Sequence, residues 1–234
     1  MEVVYEDNHI IIVNKQSGEI VQGDKTGDRP LSELVKGYIK EKYHKPGTVF
    51  LGVVHRLDRP VSGLVIFART SKALARLNRM FAEHDQIRKT YWAIVEKSPS
   101  ANSTLYTLNS KLLTHWLTRN EQQNKAYAHD REVAGSKKAM LRYRTISRGD
   151  RYDLLEIELL TGRHHQIRCQ LSAIGSPIRG DLKYGARRSN SDGSISLLAR
   201  RIEFQHPVSH QSIVVEAPLP SDPLWTALVP ITSR

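Results

Sequence analysis

Cysteine is almost absent from this chain: Cys169 is the only one in 234 residues. A single thiol cannot build a disulfide framework or a cysteine-based zinc site. This usage fits a reducing compartment, so we expect a cytoplasmic protein. The chain also lacks an apolar run of membrane-spanning length, and its N-terminus lacks the basic and apolar regions of a signal peptide. We therefore expect no membrane association.

Acidic residues are also scarce relative to basic ones. The chain has 24 Asp and Glu against 35 Lys and Arg, which gives a net charge of +11 and a pI of about 9.8. A surplus of this size suggests a polyanionic partner, most simply nucleic acid. The alternative is that the charge serves solubility alone. With 39% hydrophobic residues, the chain can bury a core of one large domain or two small ones.

The chain lacks the residue patterns of several kinds of catalytic site. The chain has no glycine-rich phosphate loop. Its ten histidines show no metal-ligand spacing, and its acids are too dispersed for a metal nuclease. Glycoside hydrolysis needs two carboxylates as acid and base, and a serine triad needs a nucleophile elbow. Neither of these two patterns is present. From the histidine and acid patterns, we expect no metal site.

Short apolar segments alternate with helical patterns along the chain. Strands are predicted at 3–5, 9–13, 63–68, 90–95, 140–146, 152–160, 195–204 and 212–217. A hairpin turn is predicted at 148–151, between two of these strands. Helices are predicted after Pro30, from an N-cap at Ser71, after Arg163 and around Trp225. The polar segment 120–134 is predicted to be a loop or insertion. Strands grouped in hairpins with helices between them predict an α+β fold, with a mixed, mainly antiparallel sheet flanked by helices.

The central feature is the segment His55–Arg59, which places the carboxylate of Asp58 between two arginines and beside the apolar strand 63–68. If the segment is extended, Arg56 and Asp58 project on the same side. Buried charges are costly unless they are paired. The segment therefore predicts either a structural ion pair or a reactive site, and these five residues alone slightly favour the ion pair.

A second polar cluster, Gly162–Arg168, stands where a strand gives way to a helix. Free N–H groups and the positive end of the dipole at a helix N-terminus suit anions. Arg163 is placed to hold a phosphate or a carboxylate, and Gln166 and Arg168 add donors. The alternative is a capped helix with a solvated basic face.

These motifs together resemble the pseudouridine synthases of the RluA type. His55–Arg59 with Ser62–Gly63 is similar to the family's central signature, and Gly162–Arg168 to its second signature. The further matches, all in family order, are Tyr5–Asp7, Asn14–Lys15, Lys89–Tyr91, Gly180–Gly185 and Phe204–Pro207. The resemblance implies the pseudouridine synthase fold with a basic RNA-binding cleft. It also implies one catalytic domain over residues 1–234, without an N-terminal accessory RNA-binding domain.

The resemblance also assigns roles by position. It makes Asp58 the catalytic aspartate, Arg163 the arginine that pairs with it and keeps it ionised, and Tyr91 the residue that stacks on the target base and is implicated in removing its C5 proton. The residues assigned to RNA and substrate binding are Arg56, His55, Arg59, Ile167, Gln166 and Arg168.

The implied reaction isomerises specific uridines in structured RNA, ribosomal or transfer, to pseudouridine. It needs no cofactor or metal, and we expect a monomer. The alternatives are a non-catalytic RNA-binding module on the same fold and, more weakly, a nucleosidase. Gln16, Val61 and His164 depart from the family pattern, which leaves the choice of target more open than the chemistry.

Overall fold

The computed structural model describes residues 1–24, 26–83, 86–97 and 109–230. Their strands are β1 Glu2–Glu6, β2 Ile10–Lys15, β3 Gly52–Val53, β4 Ser62–Ala68, β5 Ile87–Glu96, β6 Lys111–Asn120, β7 Lys125–His129, β8 Lys137–Arg148, β9 Tyr152–Leu159, β10 Leu197–Gln205 and β11 Ser212–Glu216. Their helices are α1 Leu31–Lys42, α2 Ser71–Glu83, α3 Gln166–Ala173 and α4 Pro223–Leu228, with a 3-10 turn at Leu182–Tyr184. No helix in these ranges is long and apolar enough to cross a membrane.

The chain divides into two compact units. Unit 1 contains residues 1–88 and 199–218, and unit 2 contains 89–198 and 219–234. In unit 1 the strand order is β1-β2-β4-β10, with β3 beside β4 and β11 beside β10. In unit 2 the order is β5-β9-β8-β6-β7. The registered pairings within each unit are antiparallel, which confirms the predicted α+β class with a mainly antiparallel sheet.

Strands β2 and β4 form the core of unit 1. All six residues of β2 are buried, and so is β4 from Gly63 onward. Their near-continuous apolar sequences fit strands covered on both faces, where strict alternation with polar residues is lost. Gly63, at the start of β4, has φ +114°, and a Cβ there would lie 2.4 Å from the Ala199 carbonyl oxygen. Only glycine combines this backbone angle with so close an approach of β10.

Unit 2 is an antiparallel sheet with α3 on one face. The predicted turn at 148–151 is confirmed, because the Gly149 N–H donates to the Tyr152 carbonyl (2.8 Å) between β8 and β9. Cys169 of α3 packs with Leu117, Ala126 and Ala139 from β6, β7 and β8. The lone thiol is therefore a small core group, and burial raises its pKa to about 11.

Two local predictions were wrong. The segment 120–134 contains β7, a strand whose inward side chains are the small Ala126 and Ala128, so the apolar signal was weak. The N-terminus of α2 is capped by Thr70, whose hydroxyl accepts from the Ala73 N–H (3.2 Å), and not by Ser71. Residues 98–108 lie outside the described residues.

Candidate active site

Asp58 lies in the loop that joins β3 to β4 in unit 1. The neighbouring Leu57 is buried and anchors the loop, while Asp58 itself is half-buried. The Val61 N–H donates to the Asp58 carbonyl (3.0 Å), which closes a tight turn through Arg59 and Pro60. Proline suits such a turn because its ring fixes φ. The carboxylate therefore stands on a short, constrained turn that leads directly into a core strand.

The side chain of Lys15, the last residue of β2, binds the backbone of this turn. Its side chain is fully buried, and its ammonium donates to the carbonyls of Gln16 (3.0 Å), Arg59 (3.0 Å) and Val61 (2.7 Å). Burial lowers the pKa of Lys15 to about 8, and the nearby carboxylates of Glu19 and Asp58 oppose that shift. The Gly18 N–H also donates to the Arg59 carbonyl (2.9 Å). Lys15 and Gly18 thus hold the Arg59 and Val61 carbonyls of the Asp58 turn.

The three basic neighbours of Asp58 have different environments. His55 is built into the fold: its Nε2 accepts from the Ile66 N–H (3.0 Å) and its ring stacks on Phe81. The guanidinium of Arg59 pairs with the Asp28 carboxylate (2.6 Å). Arg56 is exposed and forms no hydrogen bond or ion pair with the described residues. Of the three, Arg56 is the one positioned to meet a phosphate from solution.

Tyr91 lies on β5 of unit 2, opposite Ile157 of β9. Its side chain is buried, with 9% of its surface exposed. Lys89 lies two residues earlier and so projects from the same face of the strand. It too is buried, and desolvation lowers its pKa to about 8. The Lys-x-Tyr element therefore forms a buried pair of side chains on one side of β5.

The second signature forms a tight passage from β9 into α3. His165 adopts the left-handed region (φ 49°), and α3 begins at Gln166. The Gln166 amide oxygen accepts from the Arg163 N–H (2.9 Å) and the Thr161 hydroxyl (2.8 Å), and its NH2 donates to the Met140 carbonyl (3.0 Å). Gln166 therefore holds the loop against β8 from a buried position. The sequence assigned it to RNA binding, a role that stays a prediction.

Arg163 projects from this loop into solvent. Its Nε donates to the Lys138 carbonyl at 3.1 Å. That single contact fixes the base of the guanidinium and leaves its outer edge exposed. Ile167, by contrast, is buried in the first turn of α3.

Arg168 is not at the surface. Its guanidinium forms a two-point ion pair with Asp181 (2.7 and 2.8 Å), and both side chains are more than nine-tenths buried. The same guanidinium lies 5.0 Å from the ring of Tyr184, whose hydroxyl contacts His165 Nδ1 (2.9 Å) and accepts from the Ala126 N–H (2.8 Å). Burial raises the pKa of Tyr184. This geometry is that of a structural pair that fixes α3, and it does not favour the direct RNA contact predicted for Arg168.

The candidate site residues are divided between the two units. Asp58, Arg56, His55 and Arg59 lie in unit 1, whereas Tyr91, Arg163 and the second signature lie in unit 2. The expected pairing of Asp58 with Arg163 stays a prediction. The supports that sequence reasoning did not assign a role are Lys15, Asp181 and Tyr184. A signal was present for Lys15, because it is a lone charge two positions after the apolar run Ile10–Val13.

Comparison with known proteins decides the family. A family model described as RNA pseudouridylate synthase matches residues 9–173, well over half of the chain. The chain belongs to this family. The RNA pseudouridylate synthase model covers Asp58, Tyr91 and the second signature, and the resemblance to the RluA type is confirmed.

Individual relatives within the pseudouridylate synthases match nearly the whole chain. It is 32% identical to the tRNA pseudouridine synthase C of Pectobacterium carotovorum over 93% of this chain and 58% of that protein. It is 32% identical to the ribosomal large subunit pseudouridine synthase D of Zymomonas mobilis, over 95% of this chain and 70% of the relative. The tRNA pseudouridine synthase C of Vibrio cholerae is 30% identical over 98% and 94% of the two chains. The chain thus spans little more than half of the Pectobacterium relative but nearly all of the Vibrio one.

Solved structures agree on the fold of the chain. Human RNA pseudouridylate synthase domain containing 4 superposes with a TM-score of 0.75 over 96% of this chain and 91% of its own, at 19% identity. The human domain containing 1 protein gives 0.69 over 97% and 86%, at 22% identity. At these identities the likeness establishes the fold alone.

Proposed function

We propose that the protein isomerises specific uridines in structured RNA to pseudouridine, with Asp58 as the essential group. The observation that carries the proposal is a single carboxylate on a turn clamped by a buried lysine, in a chain whose family match includes that turn. A carboxylate set on a rigid support suits a catalytic group, whose position must be held within a fraction of an ångström.

The chemistry needs only what such a site can supply. The N1–C1′ bond of the uridine breaks, the uracil turns, and a C5–C1′ bond forms. C5 then loses its proton to a general base, and N1 gains a proton. Atoms and electrons balance without a redox partner or group donor. In the proposed mechanism Asp58 acts on the ribose, Tyr91 stacks on the base and assists loss of the C5 proton, and Arg163 keeps the carboxylate ionised.

RNA recognition is the second part of the proposal. A base inside a helix must leave the stack before an enzyme can act on it, and the net charge of +11 favours binding of the phosphate backbone. Exposed Arg56 is the proposed phosphate contact next to Asp58. Relatives with matching sequence are named for ribosomal and for transfer RNA. We therefore propose that the protein is cytoplasmic and acts on RNA of one of these two classes. The predicted basic cleft and single catalytic domain over residues 1–234 stay predictions.

The test uses ribosomal and transfer RNA transcripts labelled with tritium at uridine C5. We expect release of tritium without cleavage of the chain, and we expect Asp58→Asn to reduce the release to background. Asp150→Asn, which alters an exposed aspartate in the β8–β9 turn, is the charge-matched control and should retain activity. RNA binding without any release would support the non-catalytic alternative, and free uracil would support a nucleosidase.

A further inference from the structure

The sheet of unit 2 has a second face, opposite the one that carries Tyr91 and α3. Side chains alternate along a strand, so the registers decide which residues share a face. Trp116 of β6 stands opposite His129 of β7 and Lys138 of β8, and Thr118 stands opposite Tyr127. We call these five residues, together with Lys125 opposite Asn120, the outer face. Their strand neighbours Leu117, Ala126 and Ala139 point the other way, into the core beneath α3.

The charges on this side of the sheet are segregated. Toward β9 the basic side chains are neutralised, because Arg142 lies 3.8 Å from Glu158 and Arg144 lies 2.6 Å from Glu156. On the outer face the cation has an aromatic neighbour instead: the ammonium of Lys138 lies 6.0 Å from the Trp116 ring centroid. Within the described part of the chain, Lys138 pairs with no carboxylate.

The edge strand β7 repeats this arrangement. Tyr127 is 40% exposed, and the ammonium of Lys125 lies at the end of the strand, 5.5 Å from the Tyr127 ring centroid and 5.4 Å from that of the buried Tyr184. Lys125 likewise forms no ion pair with a carboxylate among the described residues. A sheet face that only meets water needs polar residues. It does not need two aromatic rings, each beside a cation that no acid neutralises.

This combination matches the chemistry of unpaired nucleic acid. Bases stack on aromatic rings whatever their sequence, and ammonium groups one residue away meet the phosphates. We propose that the outer face binds unpaired nucleotides of the RNA, with Trp116 and Tyr127 as stacking platforms and Lys125 and Lys138 as phosphate contacts. The proposal rests on the proposed function for the identity of the polyanion, but it names a surface apart from the candidate active site.

A contact within unit 2 links the outer face to the loop of the second signature. The Arg163 guanidinium donates to the backbone carbonyl of Lys138, whose side chain belongs to the outer face. A strand of RNA held on the outer face would therefore leave it beside the loop of the second signature. The surface would add affinity for RNA that has unpaired nucleotides next to its target.

The test measures binding of a fluorescent uridine dodecamer to the full chain by anisotropy. We expect the double variant Trp116→Ala/Tyr127→Ala to bind about tenfold or more weakly, given the usual contribution of base–aromatic stacking. Trp116→Phe/Tyr127→Phe should retain binding, because phenylalanine rings still stack. We expect Lys138→Ala to lower the slope of log affinity against log salt by about 0.7, the value for one phosphate of a single strand.

Tyr43→Ala is the matched control. Tyr43 is similarly exposed (39%) and has cations beside its ring, but those cations are already engaged: Lys42 pairs with Glu6, and Arg69 donates to the Asp7 carbonyl. We expect its dodecamer affinity to equal that of the wild type. Circular dichroism and the thermal midpoint of each variant establish that the fold is intact.

Three outcomes would overturn the proposal. The first is unchanged dodecamer affinity in a folded double alanine variant. The second is equal weakening by Tyr43→Ala, which would indicate general charge and stacking over the whole surface. The third is a wild-type dimer that the double variant converts to a monomer at constant RNA affinity, which would make the outer face an interface between copies. Tritium release is scored separately, so failure of the proposed activity and failure of this binding surface remain distinguishable.

Discussion

Replacing Lys15 by methionine should separate the stability of the protein from the placement of Asp58. Methionine keeps much of the length and apolar stem of lysine, so it can fill the buried channel. It removes the three hydrogen bonds from the ammonium to the carbonyls of Gln16, Arg59 and Val61. Two of these carbonyls keep another donor, since Arg59 also accepts from Gly18 and Gln16 from Glu19. Among the described hydrogen bonds, the Val61 carbonyl accepts only from Lys15.

In the free energy of unfolding, the cost of the lost hydrogen bonds and the gain from removing a buried charge nearly cancel. An orphaned buried carbonyl costs about 1–3 kcal/mol. Against this, the fall in the pKa of Lys15 from 10.5 to about 8 means that burying the charged form costs roughly 3 kcal/mol relative to the neutral form, and methionine removes that cost. We therefore expect the free energy of unfolding to change by less than about 2 kcal/mol. The Asp58 turn, however, loses the group that holds both of its sides.

The assay is tritium release over a range of RNA concentrations up to saturation, together with urea unfolding. Lys15→Met should lower kcat at least about tenfold, because a catalytic group displaced by about an ångström can cost a factor of a hundred, while KM for RNA changes little. Lys42→Met, which removes a partly exposed lysine from the same unit, should leave kcat unchanged. An unaltered kcat in Lys15→Met would refute the positioning role. A loss of several kcal/mol in stability would refute the cancellation.

Three further predictions concern buried groups. Asp181→Ala should cost roughly 3–5 kcal/mol in urea unfolding because it leaves Arg168 buried and unpaired; adding Arg168→Leu should recover most of that loss, and failure to recover it would contradict a pairwise origin. Gly63→Ala should cost at least about 3 kcal/mol, since alanine is strained at φ +114° and meets the β10 backbone; a thermal midpoint equal to that of the wild type would disprove the close approach. Between pH 8 and 10.5 the unfolded chain holds the Lys89 proton that the folded one has released, so this group makes stability rise with pH; Lys89→Met should flatten that rise in urea unfolding at stepped pH, and an unchanged slope would contradict a depressed pKa.

Sequence pattern alone predicted most of the fold. Continuous apolar runs marked the buried strands β2 and β4, and turn residues at 148–151 marked the β8–β9 hairpin, because these signals are local and depend on backbone preference and side-chain burial. The sequence pattern gave wrong predictions where the difference in hydrophobicity or in capping preference was small. The inward face of β7 is two alanines, and Thr70 competes with the adjacent Ser71 as a cap with nearly equal chemistry.

The resemblance supplied the candidate residues, but only the tertiary structure decided what surrounds them. The motif around Asp58 was evident in the sequence, yet its clamp is Lys15, more than forty positions away. Arg168 read as a donor for RNA, and the fold instead buries it against Asp181. Such partners cannot be predicted locally, because an ion pair or a hydrogen bond to a carbonyl forms only after the register of distant segments is set. The sequence thus determined which groups are candidates for the chemistry, and the fold determined which of them are engaged as supports and which remain exposed to solvent.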